Sequence, residues 1–305
     1  MKNRKEKIIA ASAIIVSAIL WGFDGVYLTP NLFQLDVGFV VFMLHLIPFI
    51  IMNTFLFREY SQLKKMSLSD FGTFFLIALF GGALGTMSIV RALFLVQFNH
   101  LSIVVLLQKL QPIFAISLAA VILKEKLTKH FVGWAALAII ASYFLTFGWN
   151  LPQVNASSHL LQAALWALLA AFSFGASTVF SKKALQNYSF YTTNFYRFGL
   201  TTILMLILVL LSGKFTELSA VTSRHWAFFI IIALTTGSGT IFLYYYGLKK
   251  VSAMVSTICE LFFPISAVFF DYLINKQSLT VAQWLSAFIM ILAILKISYR
   301  RKRIR

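Results

Sequence analysis

Apolar residues fill this chain in blocks of about twenty, the length that crosses a hydrocarbon core of about 30 Å. Ten such blocks fit, over residues 8–28, 37–57, 71–96, 101–123, 131–149, 160–180, 191–211, 225–248, 252–274 and 281–298. The connectors are short and polar, the longest being 58–70, 150–158 and 213–224, which leaves no room for a soluble domain. The pattern predicts an all-α integral membrane protein of ten transmembrane helices. The opening MKNRKEK and the run after it read as a first span, because the run continues for about twenty residues with no small-residue cleavage pattern.

One stretch is written twice. Residues 101–128 (LSIVVLLQKLQPIFAISLAAVILKEKLT) lie over 253–280 (AMVSTICELFFPISAVFFDYLINKQSLT) at a constant offset. Pro112 falls on Pro264, Lys124 on Lys276, Leu127 on Leu279 and Thr128 on Thr280. At the same offset Gln108 falls on Glu260, and His45 on Arg197. The chain therefore reads as a first repeat over 8–149, a second over 159–298 and a basic tail over 299–305. Five spans per repeat is an odd number, so the second repeat enters the membrane from the opposite side. Inverted repeats of this kind hold a substrate site near the midplane and allow alternating access.

Composition sharpens the reading. Of 305 residues 60% are hydrophobic and 11% charged, with a mean hydropathy of +0.86, whereas a soluble domain carries about 25% charged residues. The net charge of +17 would suit nucleic acid, but its distribution points to topology instead. Twenty of the 26 Lys and Arg fall in segments that are cytoplasmic if the N-terminus is inside, and only Lys214, Arg224 and Lys276 fall opposite. Arg91, Lys109 and Arg197 lie within spans. Both termini are expected in the cytoplasm, the tail resting on anionic lipid headgroups. The single cysteine, Cys259, excludes an internal disulfide and a Cys-based metal cage. No metal-ligand spacing, phosphate loop or nucleophile elbow appears, so neither an enzyme nor a cofactor is expected.

The order of motifs resembles the drug/metabolite transporter superfamily, in its EamA-like branch. The resemblance covers about residues 8–298 and rests on the repeated P-x-x-A/S…K-x-x-L-T element, Leu20-Trp21-Gly22-Phe23, the weaker echo Ser173-Phe174-Gly175-Ala176, and Tyr196-Arg197-Phe198. It departs in three places: His45 stands where the first repeat would carry the arginine, Gln277 replaces the acid found at Glu125, and Asp24 follows Trp-Gly. The resemblance implies a secondary transporter of small metabolites in a prokaryotic plasma membrane. It further implies export of amino acids or related amphipathic compounds, driven by protons. Anion-exchanging relatives, of nucleotide-sugar or phosphate-ester type, supply an alternative that needs cavity cations, for which Lys109 and Arg197 are the candidates.

Charged groups within spans cost several kcal/mol unless paired or wet, and mark function by default. Glu260 is the sharpest candidate: it lies one turn before Pro264 and could bind a substrate amine or take up a proton. Its bland alternative is a structural pair with Lys109 or Arg197. Gln108 and Gln111, spaced i, i+3, would turn a polar stripe inward on one helix, and Asp271 would share the face of Glu260. Arg197 could grip a substrate carboxylate, or tie helix-end carbonyls. His45 is a proton-relay candidate, though such a histidine more often packs. Asp24 with Trp21 could hold a cationic or amphipathic ligand. Arg91 reads as a snorkelling residue, and Tyr244-Tyr245-Tyr246 mainly as an interfacial belt, with a cavity-lining tyrosine as the lesser reading. The glycine-rich runs 81–86 and 236–240 are expected to let backbones approach closely.

Overall fold

The computed structural model describes residues 2–96, 104, 107–149, 158–276 and 280–298. Gln277, Leu279, the start of the first repeated stretch at Leu101, and the basic tail lie outside them. Every regular element among the described residues is helical. In the first repeat these are α1 (Lys2–Phe23), α2 (Val37–Leu56), α3 (Leu68–Ile77), α4 (Gly85–Leu95), α5 (Gln111–Ile122) and α6 (Lys129–Phe147). The second holds α7 (Ser158–Asn187), α8 (Phe190–Leu211), α9 (Ser223–Ile232), α10 (Ser238–Lys250), α11 (Ala253–Cys259), α12 (Phe262–Asn275) and α13 (Val281–Ser298).

Among the described residues, seven helical stretches are long and apolar enough to cross a membrane: Lys5–Leu32, Val37–Lys65, Leu68–Leu95, Leu161–Asn187, Phe190–Leu211, Ser223–Lys250 and Ala253–Ile274. Three shorter apolar helices, Gln111–Ile122, Lys129–Leu145 and Val281–Ile297, stand where the fourth, fifth and tenth spans were expected.

The polar connectors start helices by capping them, which satisfies backbone N–H groups that have no partner within the helix. The Asp36 carboxylate accepts from Gly38 N and Phe39 N at 2.9 and 3.2 Å, and Ser67 forms a reciprocal box with Asp70. The repeated K-x-x-L-T exit has a mechanical meaning. Lys124 and Lys276 take left-handed backbone angles, φ 53° and 56°, which end one helix. The threonine four residues on then caps the next: Thr128 Oγ1 accepts from Phe131 N, and Thr280 Oγ1 from Gln283 N.

The helices pair across the repeats in a matched way. α1 packs on α10 and α12, and its counterpart α7 packs on α4 and α5. α2 meets α8, and α6 meets α13. Two glycines make matched close approaches. A Cβ on Gly22 would lie 2.8 Å from Ala267 N and 3.0 Å from Phe263 O. One on Gly175 would lie 3.0 Å from Ala115 N and 3.1 Å from Gln111 O. These are the same contacts displaced by one repeat, so L-W-G and its echo are packing motifs. Large apolar side chains such as Leu211, Val121 and Val281 remain exposed on the outside, where lipid would cover them.

Three π-helical turns interrupt the spans, at Asp24–Leu28, Ala78–Leu84 and Ala233–Gly237. The last two fall in the glycine-rich runs. Close packing between helices holds in the first run, where a Cβ on Gly81 would sit 3.0 Å from Arg197 Nη1 and one on Gly82 would overlap Thr201; in the second, Gly237 and Gly239 face carbonyls of their own helical stretch, Ile232 O and Leu234 O.

Candidate polar centre at a broken helix

The two repeated prolines break their helices. Proline has no N–H to give the carbonyl four residues back. Pro264 thus leaves Glu260 O to accept from Phe263 N at 2.9 Å, and Leu261 N turns to Ile258 O at 3.2 Å. The chain makes a turn at Glu260–Leu261 and restarts as α12. Pro112 does the same one repeat earlier, with a turn at Lys109–Leu110 before α5. This corrects the expectation of one continuous helix: Gln108 and Gln111 stand on either side of a turn, and Glu260 and Asp271 do not share an unbroken helix. The break puts the Glu260 carboxyl immediately before the N-terminus of α12, the end that carries positive partial charge.

Three donors converge on that carboxyl. Tyr244 Oη donates to Oε1 at 2.8 Å, Ser256 Oγ donates to Oε1 at 3.2 Å, and Gln111 Nε2 donates to Oε2 at 2.8 Å. They come from α10, α11 and α5, so both repeats contribute. Among the described residues no lysine, arginine or histidine forms an ion pair with Glu260. The structural pairing with Lys109 or Arg197 weighed from the sequence is therefore replaced by a pairing with neutral donors. Glu260 and Gln111 are half-buried as residues, while Tyr244 and Ser256 are buried.

Tyr244 is the hub. Its hydroxyl also lies 3.0 Å from Thr178 Oγ1, and its ring centroid is 5.4 Å from that of Trp21. Trp21 Nε1 donates to Thr236 O at 3.1 Å, inside the third π turn. Tyr245, next in sequence, runs a parallel line: its hydroxyl meets Ser181 Oγ at 2.9 Å and accepts from Arg197 Nη1 at 3.1 Å. Thr178 and Ser181 are spaced i, i+3 on α7, so two adjacent tyrosines dock on one helix face.

The structure thus gathers Glu260, Gln111 and Trp21 around Tyr244. It gives the other candidates different partners. Arg197 Nη2 donates to Gly81 O at 2.8 Å, a carbonyl within the second π turn. His45 Nδ1 donates to Val41 O at 2.8 Å, with its ring 5.2 Å from Phe198. Lys109 Nζ donates to Ser142 O at 2.8 Å. Asp24 Oδ1 accepts from Thr29 Oγ1 at 3.1 Å, at the far end of the first span. Gln108 is half-buried ahead of its turn. Sequence reasoning passed over Ser256 and Thr178 and ranked a cavity-lining Tyr244 below a membrane belt. A tyrosine run at a helix end looks like a membrane belt, and only packing tells which ring turns inward.

A carboxyl flanked by donors from both halves of the chain, at a helix break beside aromatic rings, is the candidate site for a small molecule. The model of the EamA-like transporter family matches residues 8–147 and again 161–299, and the chain belongs to that family. Among its relatives is the riboflavin transporter ImpX of Fusobacterium nucleatum subsp. nucleatum (strain ATCC 23726 / VPI 4351). That protein is 51% identical over 292 residues, which is 95% of this chain and 98% of the relative. A crystal structure of another protein shares the fold with a TM-score of 0.67, at 13% identity over 93% of this chain and 95% of that one. The chain is accordingly a multi-pass membrane protein and a transporter of small metabolites.

Proposed function

We propose that the protein carries riboflavin across a prokaryotic plasma membrane by alternating access, holding it between the two repeats. The observation that carries this reading is the 51% identity, over 95% of the chain, to a protein named as a riboflavin transporter. The site supports it. A flat aromatic ligand needs aromatic walls and a few fixed polar groups, and Trp21 and Tyr244 stand beside Gln111 and Glu260. The amino acids expected from the family resemblance give way to a flavin. An exchanger of anionic metabolites is less well supported, because Lys109 and Arg197 are both engaged with backbone carbonyls.

The other parts of the proposal rest on the chain's pattern: ten spans, two inverted repeats over 8–149 and 159–298, and both termini cytoplasmic. Glu260 is the proton-coupling group, since a mid-span carboxyl with only neutral partners can gain a proton without breaking an ion pair.

Purified protein in liposomes tests the substrate. Saturable flux of labelled riboflavin is expected, with amino acids and phosphorylated sugars failing to compete. An amino acid or phosphate ester that moves while riboflavin does not would overturn the assignment. An imposed pH gradient should change the riboflavin rate in the parent protein and leave Glu260→Gln indifferent. A rate unmoved by the gradient in both would remove the coupling role.

A further inference from the structure

We infer that Gln111, Glu260 and Tyr244 form a donor–acceptor–donor row that reads the imide edge of the flavin ring. This inference rests on the riboflavin reading and deepens it. The isoalloxazine imide presents two carbonyl oxygens with an N–H between them, an acceptor–donor–acceptor edge. Its complement is an acceptor flanked by two donors.

The site holds that complement ready-made. Gln111 Nε2 and Tyr244 Oη each lie 2.8 Å from Glu260, and they sit on different oxygens of the same carboxyl. They therefore flank the acceptor from two sides. Ser256 Oγ, 3.2 Å from Oε1, steadies the carboxyl from its own helix at i, i+4 spacing. When the imide arrives, its N–H donates to the Glu260 carboxylate. Gln111 and Tyr244 then transfer their N–H and O–H from Glu260 to the two ring carbonyls. Two hydrogen bonds are given up and three are formed, while Ser256 keeps its own. No cation has to be displaced, because Glu260 has neutral partners. Gln111 and Glu260 are only half-buried as residues, and Trp21 beside Tyr244 supplies apolar surface for the rings behind the imide.

The row draws on both repeats, which move relative to one another in the proposed alternating-access cycle. α5 belongs to the first repeat, α10 and the Glu260 turn to the second. An imide that bridges all three would bind best when the repeats are closed upon it, which links recognition to occlusion.

The test uses a changed ligand on the unchanged protein. Affinity is measured by quenching of flavin fluorescence on the full chain in detergent, for riboflavin and for N3-methylriboflavin. The methyl group removes the one donor and leaves the ring system intact. A site built to hydrogen-bond that N–H rejects the analogue strongly, so riboflavin is expected to bind at least about tenfold tighter. Equal affinities would overturn the row while leaving riboflavin as the substrate. No binding of riboflavin at all would overturn the substrate reading and the row with it. Tyr244→Phe keeps the ring and deletes one donor. It should weaken riboflavin by about tenfold and narrow its advantage over the N3-methyl analogue. An unchanged riboflavin affinity in this variant would remove Tyr244 from the row.

Discussion

At Gly22 the absence of a methyl group decides how close two repeats can come. A Cβ there would fall onto Ser266 Oγ and lie 2.8 Å from Ala267 N, and a backbone nitrogen cannot rotate away. Gly22→Ala should therefore destabilise the protein by about 1–3 kcal/mol, the range for overpacking. Gly72→Ala is the control, since nothing lies within 4 Å of its new methyl, and there alanine should stabilise by about 0.5–1 kcal/mol. Thermal unfolding in detergent reads both, and equal behaviour of the two variants would dismiss the close-approach argument. Glu260 and Gln111 were legible as site residues because a polar group is conspicuous in an apolar run. The partners of Arg197 and Trp21 were not. Both donate to carbonyls within π turns, Gly81 O and Thr236 O, and no side-chain pattern announces a carbonyl that a π turn has left available.

At the scale of the element, each proline turns one span into two half-helices and so creates the place for a polar centre. Pro264→Ala would restore an N–H aimed at Glu260 O, which now accepts from Phe263 N. Alanine is a strong helix former, so the variant should fold with its helicity retained or slightly increased. Straightening the turn carries the Glu260 carboxyl away from Gln111 on the opposing repeat. Riboflavin affinity is expected to fall about tenfold, the loss of one to two hydrogen bonds to a charged group. Circular dichroism checks the helix and fluorescence quenching the affinity. Intact affinity in a straightened helix would mean that the break is not what positions the carboxyl. The apolar runs located the helices, and the repeated K-x-x-L-T marked where they end, but the sequence pattern did not show that the lysine takes a left-handed angle and the threonine caps the next helix. The π turns escaped because glycine-rich runs signal close packing whatever the helix type. The turn before each proline escaped because the apolar run continues on both sides of it.

Across the whole molecule, the matched pairing of helices means that neither repeat folds against itself alone, and in the proposed alternating-access cycle the ties between repeats would govern which face opens. One such tie is charged. The Glu125 carboxylate, just beyond α5, accepts from Ala253 N at 2.7 Å and Met254 N at 3.0 Å, closing over the start of α11. Lys182 on α7 lies at the same junction and donates to Leu248 O and Lys249 O at 2.9 and 3.0 Å. In the proposed orientation this face is cytoplasmic, and the second repeat writes Gln277 where the first writes Glu125. Hydrogen bonds to a charged acceptor are worth about 1.5–3 kcal/mol and neutral ones about 0.5–1.5 kcal/mol. Glu125→Gln also leaves only one acceptor oxygen for two N–H groups. A loss of about 1.4 kcal/mol shifts an opening equilibrium tenfold, enough to populate the state open to the cytoplasm. The chain's one cysteine, Cys259, is buried beside Glu260 and serves as the reporter. In inverted vesicles its alkylation by a small maleimide is expected to run about tenfold faster in Glu125→Gln than in the parent. An unchanged rate would reduce Glu125 to a helix cap with no part in gating. The same alkylation should slow when riboflavin is added, because a ligand bound between the repeats covers the centre that Cys259 adjoins.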